Sequence, residues 1–218
     1  MVACWSAKGG SGTTVVSVGL AAVLAGSAPG GALLVDLAGD VPSVLGLPDP
    51  TGPGVVGWLS AGPEVPADAL GRLEVEAPGG IRLLPWGAAG PAGTADPDRA
   101  QLLAALLTAD ARPVVVDCGS ELSDVVRSVV AAASESLLVV RPCYLSLRSA
   151  QRAPVRPSGI VVVCGDGRSI GPDDVAVALD VPVVATIPLD PAVARAVDAG
   201  TLGHRLPRSL RRALHHVA

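Results

Sequence analysis

Aromatic residues are scarce in this sequence, which has no phenylalanine, one tyrosine and three tryptophans among 218 residues. Proteins that bind single-stranded nucleic acid stack its bases on aromatic side chains, so a surface of that kind is not expected. Positive charge is not in excess either, since 16 Lys and Arg face 20 Asp and Glu. We therefore do not expect nucleic acid as a partner.

Cysteine pairs and long apolar runs are also missing. The four cysteines form no CxxC pair, and each stands in or beside an apolar run: Cys4, Cys118, Cys143 and Cys164. This pattern predicts buried, reduced thiols rather than a zinc site or a disulfide framework. No apolar run reaches about 18 residues without a charge or a helix breaker, so no membrane-spanning helix is expected. The chain starts on a strand-like run rather than a signal peptide, which favours a cytoplasmic location.

Apolar residues nonetheless make up half of the chain, and short β-branched runs alternate with helical patterns. This alternation predicts a single α/β domain, built on a doubly wound, mainly parallel sheet with helices on both faces. The predicted strands are Val2–Ser6, Ala32–Val35, Ile81–Leu84, Val114–Val116, Leu137–Val140, Ile160–Val163 and Val183–Ile187. The predicted helices are Thr14–Ala25, Ala95–Thr108, Glu121–Ala133, Ser146–Arg152, Pro172–Leu179 and Pro191–Ala199. Segments 48–66 and 87–93, rich in Pro and Gly, predict surface loops around short helices.

A glycine-rich segment stands between the first predicted strand and the first predicted helix: Ala7-Lys8-Gly9-Gly10-Ser11-Gly12-Thr13-Thr14. Such a turn presents backbone N–H groups and the positive end of a helix to an anion. The segment is therefore predicted to hold phosphate. The alternative is a tight strand–helix turn that binds nothing.

Two aspartates follow strands that are expected to end near this loop. Asp36 comes after the second predicted strand and Asp117 after the fourth. Ligands in doubly wound sheets lie beyond the carboxyl ends of the strands. Together with Thr14 at the start of the first helix, the two carboxylates could hold Mg²⁺ against phosphates. Each aspartate alone could equally be a turn or helix-cap residue.

In order and spacing, these segments resemble the ParA/MinD family of ATPases, which includes septum-site-determining and pilus-localisation proteins. Segment 8–14 is similar to the family's deviant Walker A loop, normally K-G-G-x-G-K-T. Segments 33–40 and 114–119 look like its switch I and switch II, and segments 145–148 and 187–190 are similar to later strand ends. The resemblance runs from Val2 to about Gly203. It implies a P-loop NTPase-like fold, ATP or ADP with Mg²⁺, and a homodimer that positions a protein cargo or machine.

The sequence departs from the family pattern at two positions. Lys8 matches the signature lysine, which in the family reaches the partner subunit's phosphates, but Thr13 replaces the lysine that contacts phosphates in its own subunit. A lost charged hydrogen bond costs about 1.5–3 kcal/mol, roughly 10- to 150-fold in affinity. Ala38 replaces the acidic residue that positions the attacking water, and such a loss costs about 10²–10⁴ in rate. Asp40 is the one candidate to substitute for it.

The resemblance also implies a place for the purine. Residues after the strand Ile160–Val163 and around Pro188 flank the base in the family. The first of these places is occupied here by Cys164, where the family often has an amide side chain that reads the base. Adenine recognition is therefore expected to be weaker.

The family resemblance and its two departures together imply a positioning or partitioning factor with a degenerate ATPase site, which binds nucleotide weakly or statically and hydrolyses little or none. One alternative is an interaction protein with an empty site, whose contacts are made by the apolar loops around Trp58 and Trp86. Another is an active P-loop enzyme, such as an amide-forming ligase or an iron–sulphur reductase. That class needs the missing lysine or paired interface cysteines.

The C-terminal segment 204–218 is predicted to form a basic amphipathic helix outside the main domain of residues 1–203. Leu206, Leu210 and Leu214 fall on one helical face, with Arg208 and Arg211 among the residues on the others. Such a helix can lie on an anionic membrane, giving a peripheral location, or it can dock on its own domain.

Overall fold

The structure is a computed structural model that describes residues 1–62, 64–88, 96–165, 167 and 169–217. In this part of the chain the strands are β1 (Val2–Trp5), β2 (Ala32–Asp36), β3 (Val75–Ala77), β4 (Ile81–Leu84), β5 (Val114–Asp117), β6 (Glu135–Val140), β7 (Gly159–Cys164) and β8 (Val183–Pro188). The α-helices are α1 (Thr13–Ser27), α2 (Val41–Leu45), α3 (Gly54–Leu59), α4 (Pro97–Ala109), α5 (Asp124–Ala132), α6 (Tyr144–Gln151), α7 (Pro172–Leu179), α8 (Pro191–Asp198) and α9 (Arg208–Leu214). A 3₁₀ helix covers Ala67–Leu73.

The strands form one sheet in the order β3-β4-β2-β5-β1-β6-β7-β8. Every neighbouring pair is parallel except β3 with β4, which is antiparallel at one edge. The predicted doubly wound α/β fold is thereby confirmed. Since β1 lies in the middle, between β5 and β6, the loop that follows it stands at the centre of the carboxyl edge.

Side chains of the strands alternate between two apolar layers, one on each face of the sheet. In β5, Val114 and Val116 belong to the layer that also contains residues of α3 to α7, whereas Val115 belongs to the layer that contains residues of α1, α2 and α9. The near-continuous Val, Leu and Ile runs of the inner strands are explained by this burial on both faces.

Several predicted elements differ from the observed ones. Helix α5 begins at Asp124, later than expected, because the Ser123 hydroxyl accepts the Val126 N–H and caps the helix. Helix α4 begins at Pro97, after a cap by Asp96; the predicted start at Ala95 and the predicted loop residues 89–93 lie outside the described residues. Strand β3 was not predicted, since its three residues are largely exposed and carry no apolar pattern.

The loop around Trp58 is a second difference, and its prediction as an exposed contact surface is wrong. Trp58 belongs to α3 and is 2% exposed. The guanidinium carbon of Arg99 lies 3.8 Å from the centre of its ring, and that guanidinium donates to the Trp58 carbonyl at 2.7 Å. Trp58 is therefore part of the core and is unavailable to a partner.

The four cysteines are unpaired, as predicted, although they are not equally buried. Cys4 and Cys118 are buried in the core, whereas Cys143 and Cys164 are half-buried. Burial raises the pKa of the Cys4 thiol to about 12. The two core thiols are therefore protonated at neutral pH.

The leucine stripe of the C-terminal segment packs on the domain itself. Leu206, Leu210 and Leu214 are buried, and the last two press against Gly19 of α1, where an added Cβ would lie 2.7 Å from Leu214 Cδ1. Pro207 precedes α9, so the helix is shorter than predicted. Of the two predicted locations for the stripe, the structure shows docking on the domain. None of the described helices is long and apolar enough to cross a bilayer.

Because Leu210 is fully buried, Leu210→Ala is expected to lower the free energy of unfolding by about 2–5 kcal/mol. Urea denaturation measures this change. Val177→Ala is the control, since Val177 is 83% exposed and its truncation should change stability by less than about 0.5 kcal/mol. Equal, small effects of both variants would show that α9 is not docked in solution.

Candidate functional site

The glycine-rich loop after β1 is closed by its own hydrogen bonds and glycine conformations. The Ser11 hydroxyl donates to the Lys8 carbonyl at 2.7 Å. Gly10 and Gly12 have φ of 76° and 95°, in the left-handed region that favours glycine. Helix α1 begins directly after Gly12 and has no side-chain cap, so its first backbone N–H groups lack intrahelical partners. They are available to an anion.

A cleft of about 490 Å³ lies over this loop. Its walls come from the segments that follow β2 and β5, the two strands next to β1 on one side. Ala38 and Asp40 form the first wall, Ser120 and Glu121 the second, and Trp86 closes one end. The sheet order thus brings the predicted loop and both switch-like segments together.

Asp117 is the last residue of β5 and does not itself line the cleft, although the four residues that follow it do. One of its carboxylate oxygens is left without a partner. The residue is 0% exposed. Its Oδ1 accepts the Gly119 N–H at 3.3 Å and the Ser17 hydroxyl at 3.4 Å. Oδ2 is buried and makes no hydrogen bond of normal length, and the Thr14 hydroxyl lies close to the carboxylate. The pKa of Asp117 is raised to about 6, chiefly by burial and to a smaller degree by the nearby charge of Asp36, against the opposing effect of the Thr14 hydroxyl.

Asp36 stands beside Asp117, since the two residues are register partners in the parallel β2–β5 pair. Both oxygens of its carboxylate accept hydrogen bonds from the loop that follows β2. Oδ1 accepts the N–H groups of Ala38 at 3.0 Å and Gly39 at 2.6 Å, and Oδ2 accepts the Val41 N–H at 3.3 Å. Burial raises the pKa of Asp36 despite these bonds. The structure therefore gives Asp36 the turn-residue role that was one of its two predicted interpretations.

The side chains at this site could hold Mg²⁺ only together with further ligands, such as phosphate oxygens and waters. The described residues hold no cluster of three His, Cys, Asp or Glu side chains suited to a metal ion. Mg²⁺ bound with phosphates takes few protein ligands and keeps several waters. Thr14 lines the cleft beside the orphaned Asp117 carboxylate, so these two residues fit an ion shared with phosphate oxygens. A metal role for Asp36 stays a prediction.

No lysine or arginine lines the cleft among the described residues, and two carboxylates, Asp40 and Glu121, do. Thr13 lines it as well and is buried. Lys8 is exposed and lies outside the cleft, close enough to Cys143 for its charge to help lower the pKa of that thiol, after the larger effect of the Ser146 hydroxyl. Phosphate in this cleft would be held by backbone N–H groups and the end of α1.

An apolar groove of about 550 Å³ adjoins the cleft and shares Gly12 and Val15 with it. Pro188 lines this groove, as the predicted purine-flanking position should. Cys164 does not line it. Its side chain packs with the opposite apolar layer, because the preceding residue, Val163, is the one that faces the groove side.

Sequence reasoning missed four residues at the site. Ser120, Glu121 and Trp86 line the cleft, and Arg141 lines the adjoining groove. Glu121 could have been predicted, since it stands only four positions after Asp117, in the segment that follows the fourth predicted strand. Trp86 and Arg141 follow other strands, β4 and β6, and only the sheet order shows that they come near the loop.

No family profile matches the sequence, and no curated protein matches it. Solved structures do. The septum site-determining protein MinD from Pyrococcus horikoshii, complexed with Mg-ADP, superposes with a TM-score of 0.77 at 22% identity, over 99% of this chain and 93% of that one. A ParA family ATPase from Chlorobium tepidum superposes with a TM-score of 0.77 at 20% identity, over 98% of this chain and 95% of that one. The chain has the MinD/ParA fold. A McdA variant from Cyanothece in complex with ATP superposes with a TM-score of 0.70 at 16% identity, over 99% of this chain and 94% of that one.

The MinD/ParA fold accounts for the arrangement of the loops. The expected resemblance is confirmed at the level of the fold, at near-full length in both directions. The loop 8–14, the loop after β2 and the loop after β5 meet at one edge of the sheet, as that resemblance implied.

The two neighbouring aspartates should respond oppositely to amide substitution. At about pH 8 Asp117→Asn removes a buried charge and is expected to stabilise the protein by up to about 3 kcal/mol, from the shift of its pKa to about 6. Asp36→Asn leaves a backbone N–H unpaired and is expected to destabilise by about 1–3 kcal/mol. Urea denaturation of both variants measures the difference.

The advantage of Asp117→Asn should depend on pH. The pKa of Asp117 is higher in the folded chain than in the unfolded chain, so its contribution to stability is present below about pH 4 and is lost as pH rises through about 6. The gain from the amide should therefore grow over that range. Destabilisation by both amides at about pH 8 would contradict the assignment of the orphaned charge.

Proposed function

We propose that the protein is a MinD/ParA-like positioning factor that binds adenine nucleotide with Mg²⁺ weakly or statically. The observation that carries the proposal is the buried Asp117 Oδ2, which accepts no hydrogen bond of normal length. It lies close to the Thr14 hydroxyl, at the uncapped start of α1. A buried, unpaired carboxylate costs free energy, and a ligand that supplies a cation removes the cost. In a turn that binds no ligand, the buried carboxylate of Asp117 would only destabilise the fold.

The geometry also supports little or no hydrolysis. Ala38 lines the cleft where the family resemblance places an acid, and a methyl group cannot orient water. Asp40 lines the cleft and its carboxylate makes no hydrogen bond to the described residues, so it is the candidate for any residual activity. Bound Mg²⁺ would supply a positive charge for the phosphates, with Thr14 and Asp117 holding the ion.

Pairing with a second copy would supply the cation that each cleft lacks. Lys8 is exposed at the sheet edge, next to Cys143 and the first residues of α6. There Tyr144 and Leu145 are 66% and 60% exposed, which gives this face an apolar surface for a partner. We infer a homodimer in which Lys8 approaches the partner's cleft, and through which a protein cargo is placed. A cytoplasmic location is part of the same proposal.

The second candidate is an interaction protein that binds no nucleotide. It is favoured by one observation: two carboxylates and no cation among the described lining residues of the cleft. In that case Tyr144 and Leu145, rather than the buried Trp58, would make the contact.

Restoring the lysine should distinguish the two candidates. We expect Thr13→Lys to raise the affinity for Mg-ADP about 10- to 150-fold over the wild type, because it adds a charged hydrogen bond. Fluorescence of Trp86, which lines the cleft, reports binding, and Trp86→Phe checks the origin of the signal. Thr51→Lys, which adds the same charge at an exposed position outside the cleft, is the matched control. Absence of binding by the wild type and by Thr13→Lys alike would favour the interaction protein.

The role of Lys8 in pairing is tested by Lys8→Ala. We expect this variant to shift the chain toward monomer in the presence of Mg-ATP, because the partner's phosphates lose their cation. Light scattering after gel filtration measures the mass, with Arg156→Ala as a control that removes an exposed charge elsewhere. Unchanged pairing of Lys8→Ala would rule out contact in trans.

A further inference from the structure

A second groove, of about 1010 Å³, runs between α8 and α9 on the side of the sheet covered by α1. Its walls carry four arginines: Arg195, Arg205, Arg208 and Arg211. We call it the basic groove. It is separate from the cleft over the glycine-rich loop, since the two share no lining residue.

The arginines of the basic groove are not neutralised within the described chain. The ion pairs between described residues involve Arg72, Arg82, Arg112 and Arg127, and none of the four groove arginines. Segment 191–218 holds five of the sixteen Lys and Arg of the chain but only one of its twenty Asp and Glu. A protein of net charge −4 thus concentrates positive charge at one groove.

The one carboxylate in the groove is already engaged. Asp190 accepts the Ala192 N–H at 2.7 Å and the Ser209 hydroxyl at 2.6 Å. These bonds cap α8 and tie it to α9. The spacing of the two walls is therefore set before any ligand binds, which lowers the ordering cost of binding.

Between the arginines the floor of the groove is apolar. Ala192 and Ala196 of α8 line it together with Leu206 and Pro207, so the apolar lining consists largely of small side chains. Phosphates of a DNA duplex would use the arginines and leave this floor unused. A bilayer would likewise meet only the arginines, since the leucines suited to insertion into lipid, Leu210 and Leu214, are buried against α1.

We propose that the basic groove binds an acidic segment of a partner protein, in which Asp or Glu side chains alternate with small or branched apolar ones. The planar guanidinium groups suit carboxylates, which they can hold with two parallel hydrogen bonds. The floor takes the apolar side chains between them. Binding at this groove does not depend on nucleotide in the cleft.

A labelled synthetic peptide of alternating glutamate, alanine and leucine tests the proposal on the full chain without nucleotide. Fluorescence anisotropy is expected to show binding that weakens at least about tenfold in the double variant Arg205→Glu/Arg208→Glu. Arg152→Glu/Arg156→Glu is the matched control, since it makes the same charge change at exposed arginines following α6, which packs on the opposite face of the sheet. This control should bind the peptide as the wild type does.

Two further arms test the partner chemistry. Ala192→Leu fills the floor without changing charge, so it should weaken the mixed peptide and leave polyglutamate binding unchanged. A short DNA duplex and phosphatidylserine vesicles should bind more weakly than the peptide. The proposal would be overturned if the Arg152/Arg156 control lost as much peptide affinity as the groove variant. It would also be overturned if neither groove variant changed peptide binding, or if DNA or vesicles bound more tightly than the peptide.

Discussion

The parallel pairing of β2 with β5 places two carboxylates side by side under the start of α1, and the site depends on how each is satisfied. Asp36 accepts three backbone N–H groups and so shapes the loop after β2. Asp117 keeps one oxygen without a partner, in a position where water cannot reach it. Two like charges at neighbouring strand ends are costly, and only one of them is offset by the fold itself. The other requires a ligand or a proton.

Under the proposed function, the absence of a lysine at position 13 would weaken phosphate binding in the cleft without abolishing it. The glycine-rich loop still presents the unpaired N–H groups of α1, which need no side chain. What is lost is a charged hydrogen bond of about 1.5–3 kcal/mol. The carboxylates of Asp40 and Glu121 repel phosphate in addition, so an accompanying cation has to carry more of the binding than in a cleft that contains a lysine. Mg²⁺ at Thr14 and Asp117, together with Lys8 from a second copy, would provide it.

Much of the fold could be predicted because its signals are local. The β-branched runs and the glycine-rich turn are short patterns whose meaning does not depend on distant residues, and strand β4 and helix α7 have their predicted bounds. The difference between Asp36 and Asp117 could not be predicted. Both are aspartates at strand ends, and only the backbone path of the following loop decides which carboxylate is saturated.

Other misses have the same physical origin, which is packing between distant segments. Trp58 belongs to a sequence segment rich in Pro and Gly, which is typical of surface loops, yet Arg99 from α4 contacts it in the core. The stripe of Leu206, Leu210 and Leu214 is equally suited to lipid and to a protein surface, and Gly19 of α1 provides the space that decides between them. Cys164 and Pro188 are register partners in β7 and β8, yet Pro188, at the exposed end of its strand, lines the groove, whereas Cys164 packs with the apolar layer on the other face of the sheet.

The most direct test of the central claim is isothermal titration of the wild-type chain with ADP, with and without Mg²⁺, at a pH above the raised pKa of Asp117. Weak binding is expected that requires Mg²⁺ and is lost in Asp117→Asn, even though that variant is the more stable protein. Binding of equal strength without Mg²⁺, or unchanged binding by Asp117→Asn, would contradict the central claim.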